Sequence, residues 1–181
     1  MKARYLDILR EIERDHEQGT GSTKDSHLLV IDGLNTFIRV FSAVPALNDD
    51  GQHILYNDHL GFKTFGVGHL CRATDPENDM ELGAVVSQER VDKCLETDLY
   101  VAINDAERFC EGMDIDDNVK ECVTHMSFQL GLPKLNQFKK FKKALQDNDI
   151  ETAITEMKDS RAYNQTTNRW DRLIEKMRKS I

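Results

Sequence analysis

Apolar residues in this chain recur at helical spacing over most of its length and alternate with polar ones only in a short central stretch. Tyr5, Ile8, Leu9 and Ile12 stand at i, i+3, i+4 and i+7, which predicts an amphipathic helix over residues 3–17. Gln18-Gly19-Thr20-Gly21-Ser22 stops it and provides a link. His27 to Ile31 reads as a buried strand ended by Asp32-Gly33; Leu34, Phe37, Ile38 and Phe41 then predict a short helix, stopped by Pro45 and by Asn48-Asp49-Asp50-Gly51. The central stretch predicts two short strands, Ile54 to Asn57 and Lys63 to Val67. Between them lies the turn Asp58-His59-Leu60-Gly61, and Gly66, Gly68 and His69 close the hairpin.

Ala73 to Gly83 is acidic, contains Pro76 and lacks a period, so it reads as a loop. Ser87 is a suitable N-cap with Glu89 in the first turn, and Val91, Leu95, Leu99, Ala102, Ile103 and Ala106 predict a helix of about six turns ended by Gly112. Val119, Cys122, Val123, Met126 and Leu130 predict another, closed by Gly131 and followed by Pro133. Three more follow from Leu135, Phe138, Phe141 and Leu145, from Ile150, Ala153, Ile154 and Met157, and from Trp170, Leu173, Ile174 and Met177. The polar segment of residues 160–169 separates the last two. The expected class is α+β and predominantly helical: a small β-hairpin lobe joined by a long helix to a compact helical lobe. A cleft between hairpin and helical lobe is the natural place for a ligand.

Composition narrows the class further. The 181 residues suffice for one domain with a proper core, or for one domain plus an appendage. No apolar run approaches the roughly 18 residues of a membrane span, so membrane insertion is not expected. Met1 leads into a polar amphipathic segment with no apolar block, so the expectation is a product made in a cytoplasm without a secretory signal. Cys71, Cys94, Cys110 and Cys122 are widely spaced and read as reduced thiols, mostly buried. The net charge of −8 is uneven: residues 74–121 hold 15 acids against 4 bases, and residues 133–181 hold 12 bases against 7 acids. The basic part is a solvated face or a surface drawn to a polyanion such as a cell-wall polymer.

Three ordered blocks carry a resemblance. They are Tyr56-Asn57-Asp58 with Gly61 and Thr64-Phe65-Gly66-Val67-Gly68-His69; His125-Met126-Ser127-Phe128-Gln129-Leu130-Gly131; and Ser160-Arg161-Ala162-Tyr163-Asn164-Gln165-Thr166-Thr167-Asn168-Arg169. From about residue 52 to 181 the chain resembles the phage-type lysozymes of the T-even group, glycoside hydrolase family 24. Their corresponding blocks are Tyr-x-Asp before Thr-Ile-Gly-x-Gly-His, then Asn-Met-x-Phe-Gln-Met-Gly, then Ser-Arg-Trp-Tyr-Asn-Gln-Thr-Pro-Asn-Arg. The resemblance implies hydrolysis of the β-1,4 bond between N-acetylmuramic acid and N-acetylglucosamine in peptidoglycan, without cofactor or metal. It implies a monomer of the endolysin type, held in a host cytoplasm and reaching the wall only after the membrane is permeabilised; no nucleic-acid partner is expected. It assigns Asp58 as the catalytic aspartate and Thr64 as the threonine that helps hold water. His69 and Asp98 match a structural ion pair, Phe128 a junction residue below the cleft, and Arg169 an arginine facing the catalytic glutamate, supported by Tyr163, Asn164 and Gln165.

The sequence departs from the family at the general acid, a Glu in Glu-Gly nine residues before the Asp. Counting back from Asp58 reaches Asp49; allowing a one-residue deletion, Asp50-Gly51 takes that place; Glu17, at the end of the first predicted helix, serves only if residues 18–50 loop out. The fourth alternative is that no competent acid is present. An aspartate is one methylene shorter, and a misplacement of about 1 Å can cost about 100-fold in rate. Residues 27–41 resemble the opening strand and helix of phage flap-type 5′-nucleases, in which Asp32 would help bind Mg²⁺. Nothing after Gly51 continues that pattern. The domain expectation is therefore an amino-terminal segment, 1–51, foreign to a lysozyme-like domain, 52–181.

Overall fold

The computed structural model describes residues 46–58 and 60–180. The expected helices at 3–17 and 34–41, the strand at 27–31, Glu17 and Asp32 all lie outside the described residues. The chain divides into two compact units with the boundary between Thr97 and Asp98.

In the first unit Asn48 organises a tight turn. Its Oδ1 accepts from the amides of Asp50 and Gln52, and its Nδ2 donates to Gln52 Oε1 at 3.0 Å. Leu47 bridges His53 across it. A three-stranded antiparallel sheet follows: β1 (Tyr56–Asn57), β2 (Lys63–Phe65) and β3 (His69–Leu70), in the order β1-β2-β3. Tyr56 stands opposite Thr64, and Phe65 opposite His69.

The strands are shorter than the alternation predicts, for two reasons. Residues 53–55 pair with the distant segment 83–86 instead: Ile54 bridges Val85, Leu55 N donates to Ala84 O, and Val86 N donates to His53 O. At the other end Gly66 (φ 55°) and Gly68 (φ 86°) take the left-handed backbone that favours glycine, so Val67 belongs to a second turn and His69 opens a third strand. Gly66 also meets a close neighbour, because a Cβ there would stand 2.6 Å from Val91 Cγ1. The expected loop at 73–83 contains a 3₁₀ helix, Pro76–Asp79, with Pro at its start. Lys63 Nζ donates to the carbonyls of Asn78 and Met80 at 2.7 Å each and fixes that helix against β2. Among the described residues of this unit, Leu55, Phe65, Val86, Val91 and Cys94 form a buried core cluster.

The long helix α1 spans Gln88–Phe109, and the unit boundary falls inside it. Ser87 Oγ accepts from Arg90 N at 3.2 Å, as the cap reading expects. The second unit is helical, comprising α2 (Asp117–Leu130), α3 (Leu132–Leu135), α4 (Lys139–Gln146), α5 (Ile150–Lys158), α6 (Arg161–Gln165) and α7 (Thr167–Met177), with a terminal 3₁₀ turn. Asp116 and Asp149 cap α2 and α5 with their carboxylates. Two details correct the periodicity reading. Leu135 belongs to the short α3 and not to the helix of Phe141, because Leu132-Pro133 starts a separate turn and the helical path is interrupted at residues 136–138. The polar segment 160–169 is largely helical: Ser160 caps α6 by accepting from Tyr163 N at 3.0 Å. Polar composition concealed that helix, which has little apolar face to display.

Here α2 packs on α7, and α4 on α5. Trp170, Phe141, Met126, Leu135, Met157, Leu173 and Met177 fill the centre of this unit. Phe138 stacks on Trp170 with ring centroids 6.1 Å apart. All four cysteines are free; Cys94, Cys110 and Cys122 are buried and Cys71 is half-buried.

Candidate functional site

Asp58 occupies the hairpin turn between β1 and β2 and is half-buried. Its Oδ1 accepts from the amides of Leu60 (2.9 Å) and Phe62 (2.8 Å), while its own amide donates to Phe62 O at 2.9 Å. Gly61, at φ 84°, supplies the left-handed backbone that the turn requires. The carboxylate is therefore set by the main chain and not by a mobile side-chain partner. Thr64 is 4% exposed on β2, and its hydroxyl donates to the same Phe62 carbonyl at 3.0 Å. One carbonyl, that of Phe62, thus accepts from both Asp58 N and Thr64 Oγ1. With its proton directed to Phe62 O, the hydroxyl oxygen of Thr64 is left as an acceptor. Tyr56, opposite Thr64 in the register, has its phenol pKa raised by burial and by the charge of Asp58.

Asp49 and Asp50 are both exposed at the Asn48 turn. An exposed turn is a different setting from the apolar pocket in which glycosidases keep a carboxylic acid protonated. Glu17 lies outside the described residues.

His69, on β3, places Nε2 3.3 Å from Asp75 Oδ2. Asp75 leads to a network that the sequence did not reveal. Arg90 of α1 grips Glu77 through Nε (2.8 Å) and Nη2 (2.9 Å) and also reaches Asp75 Oδ1 at 2.9 Å. Its guanidinium lies 5.8 Å from the centre of the Phe65 ring, and that ring packs against His69 at 4.9 Å. Burial raises the pKa of Asp75, but the Arg72 amide, His69 and Arg90 outweigh it and hold the carboxyl below its ordinary value. The Arg90 hydrogen bonds likewise hold Glu77 down, against burial. The only sequence signal was an acid-rich stretch around a proline, beside an arginine in a helix's first turn.

In the second unit, Asp98 is half-buried on α1 and Phe128 half-buried on α2. The second and third sequence blocks meet through Gln129. Its Oε1 accepts from Trp170 Nε1 at 3.2 Å, and its Nε2 donates to Thr166 Oγ1 at 3.1 Å. Because an indole N–H can only donate, this pairing fixes which way the amide faces. Tyr163 donates its hydroxyl to Asp171 Oδ1 at 2.9 Å, and Asn164 bonds Ser160 O at 3.2 Å; Asn164 and Gln165 are exposed. Arg169 is half-buried in the first turn of α7, where burial lowers its pKa. Buried His125 has its pKa lowered by burial, against the opposing pull of Glu121 3.8 Å away, while Glu121 also pairs with Lys176. Gln129, Trp170 and Asp171 are additions to the expected set. Gln129 stood in the second block, and nothing in its spacing announced the bond to Trp170.

The profile of the phage lysozyme family matches residues 50–179. Two proteins of Dictyostelium discoideum are similar to this chain. One, a probable T4-type lysozyme 2, is 29% identical over 147 residues, covering 70% of this chain and 86% of the relative. The other, a probable T4-type lysozyme 1, is 26% identical with the same coverage.

Proposed function

This chain belongs to the phage lysozyme family, lysozyme-like peptidoglycan hydrolases, and on that premise we propose that it cleaves the β-1,4 bond between N-acetylmuramic acid and N-acetylglucosamine. The observation that carries the proposal is the main-chain clamp that sets Asp58 and Thr64 on the backbone of one residue, Phe62, whose amide bonds the Asp58 carboxylate and whose carbonyl accepts from Asp58 N and Thr64 Oγ1. Cleavage of a glycosidic bond needs a proton for the leaving oxygen and a carboxylate that stabilises positive charge or activates water. Asp58 is the carboxylate. The acceptor oxygen of Thr64 helps orient the attacking water. The proton comes from a carboxyl of the Asn48–Gly51 turn, Asp49 or Asp50, and its shorter reach makes the enzyme slow by about 100-fold. The lysines of α4, with Lys139, Lys140 and Lys143 exposed, favour attachment to an anionic wall.

The test is digestion of insoluble peptidoglycan followed by borohydride reduction. New reducing ends on N-acetylmuramic acid are expected, and Asp49→Glu or Asp50→Glu should raise the rate and identify the donor. New ends on N-acetylglucosamine instead would contradict the assigned bond. The exposure of Asp49 and Asp50 favours a second reading, a protein that binds peptidoglycan without cutting it. Retention on the insoluble wall, with no new reducing ends from wild type or either glutamate variant, would decide for that reading.

A further inference from the structure

The turn that holds Asp58 also exposes two large apolar side chains: Leu60 is 58% and Phe62 54% exposed. Such turns are ordinarily filled by small polar residues, and a ring kept more than half in water adds little to the core. The backbone of Phe62 is nevertheless firmly anchored. Its amide bonds Asp58 Oδ1, and its carbonyl accepts from both Asp58 N and Thr64 Oγ1. Three hydrogen bonds therefore fix its backbone relative to the two groups assigned to the reaction, and the side chain starts from that fixed point. An exposed aromatic on a fixed backbone, a few residues from a reacting carboxylate, suits a flat apolar ligand surface, and with two side-chain torsions it contacts that surface at a small cost in rotamer entropy.

We propose that Phe62, with Leu60 on the same turn, is a substrate-binding platform that takes the apolar C–H face of one N-acetylhexosamine ring of the glycan strand. The sugar hydroxyls stay at the edges, in water, while dispersion holds the face on the ring. This deepens the reading of the site as glycan-cleaving and rests on it. Phe62 is a binding residue: it holds the strand beside Asp58 equally in the ground and transition states, so its loss raises KM and spares kcat.

The test compares wild type with Phe62→Ala and Phe62→Trp in the full chain. Saturation curves for reducing-end release and binding isotherms on insoluble peptidoglycan are read alongside thermal melting. Alanine keeps the backbone bonds, so the expected result is a rise of about 5-fold in the half-saturating peptidoglycan concentration, with little change in kcat or Tm. Tryptophan should restore or tighten binding. An unchanged half-saturation for Phe62→Ala, a loss confined to kcat, or a loss accompanied by a fall in Tm would overturn the proposal. If wild type binds the wall but releases no reducing ends, the isotherms alone decide: weaker binding by Phe62→Ala supports the platform while the cleavage reading fails. Absence of wild-type binding overturns both.

Discussion

Replacing Arg90 by methionine removes the cation shared by Glu77 and Asp75 and leaves a side chain of similar reach against Phe65. The two carboxylates are 8% and 14% exposed and the arginine side chain 27%, so the network is largely desolvated. Breaking a buried ion pair from one side costs about 3–5 kcal/mol. The partial exposure of Arg90 puts the expected loss near the lower end, about 3 kcal/mol. For a chain of this length that corresponds to a fall in Tm of about 6–12 °C. The pH dependence separates electrostatics from packing. Both carboxyls are held below their ordinary values of 3.8 and 4.5, so their stabilisation is fully present above those values and is lost as pH falls through the lower native ones. The gap between wild type and Arg90→Met, followed by far-ultraviolet circular dichroism during urea unfolding, should therefore narrow between pH 7 and pH 3. Neutralising the carboxylates as well, in Arg90→Met/Glu77→Gln/Asp75→Asn, should recover part of the loss. A gap of the same size at both pH values would refute the reasoning, because it would make Arg90 a packing residue.

Gly66→Ala should cost about 2–4 kcal/mol, from the left-handed backbone and from the 2.6 Å approach to Val91. Adding Val91→Ala should lift only the steric share relative to Val91→Ala alone, and equal urea midpoints for Gly66→Ala and wild type would contradict the contact. Trp170→Phe strands the Gln129 carbonyl and should lower stability by about 1–2 kcal/mol; Gln129→Leu in that background should add little, and full additivity in the double-mutant cycle would deny the bond. His125 is held below its ordinary 6.5 by burial, among Glu121, Lys176 and Arg169. The unfolded chain therefore takes up a proton near pH 6.5 before the native state does, and stability falls as pH drops from 8 to 5. His125→Gln should flatten that slope, and parallel slopes would refute it.

The helices were legible because each buries an apolar stripe of its own: Ile150, Ala153, Ile154 and Met157 announce α5 without help from any distant residue. The strands were less so. Ile54 and Leu55 look like part of the first hairpin strand, yet Leu55 bonds Ala84 and Gly83 and Ile54 stands opposite Val85, a pairing that no local period encodes. Turn chemistry at Asp58 and Gly61 was readable because an Asp that accepts its own downstream amides is a short-range device. The Arg90 network and the Gln129–Trp170 bond join residues 13 to 41 positions apart, and polar side chains carry no periodic mark of such pairing. Motif resemblance marks the second and third blocks, and the fold joins them through Gln129.

Asp58, clamped by main-chain amides, is the carboxylate proposed to react in peptidoglycan cleavage. Asp58→Asn tests it most directly, since the amide oxygen of asparagine can still accept from Leu60 N and Phe62 N and keep the turn. Reducing-end release from insoluble peptidoglycan should fall by about 100-fold or more, with Tm within about 2 °C of wild type. Wild-type and Asp58→Asn proteins releasing reducing ends at the same rate would contradict the account.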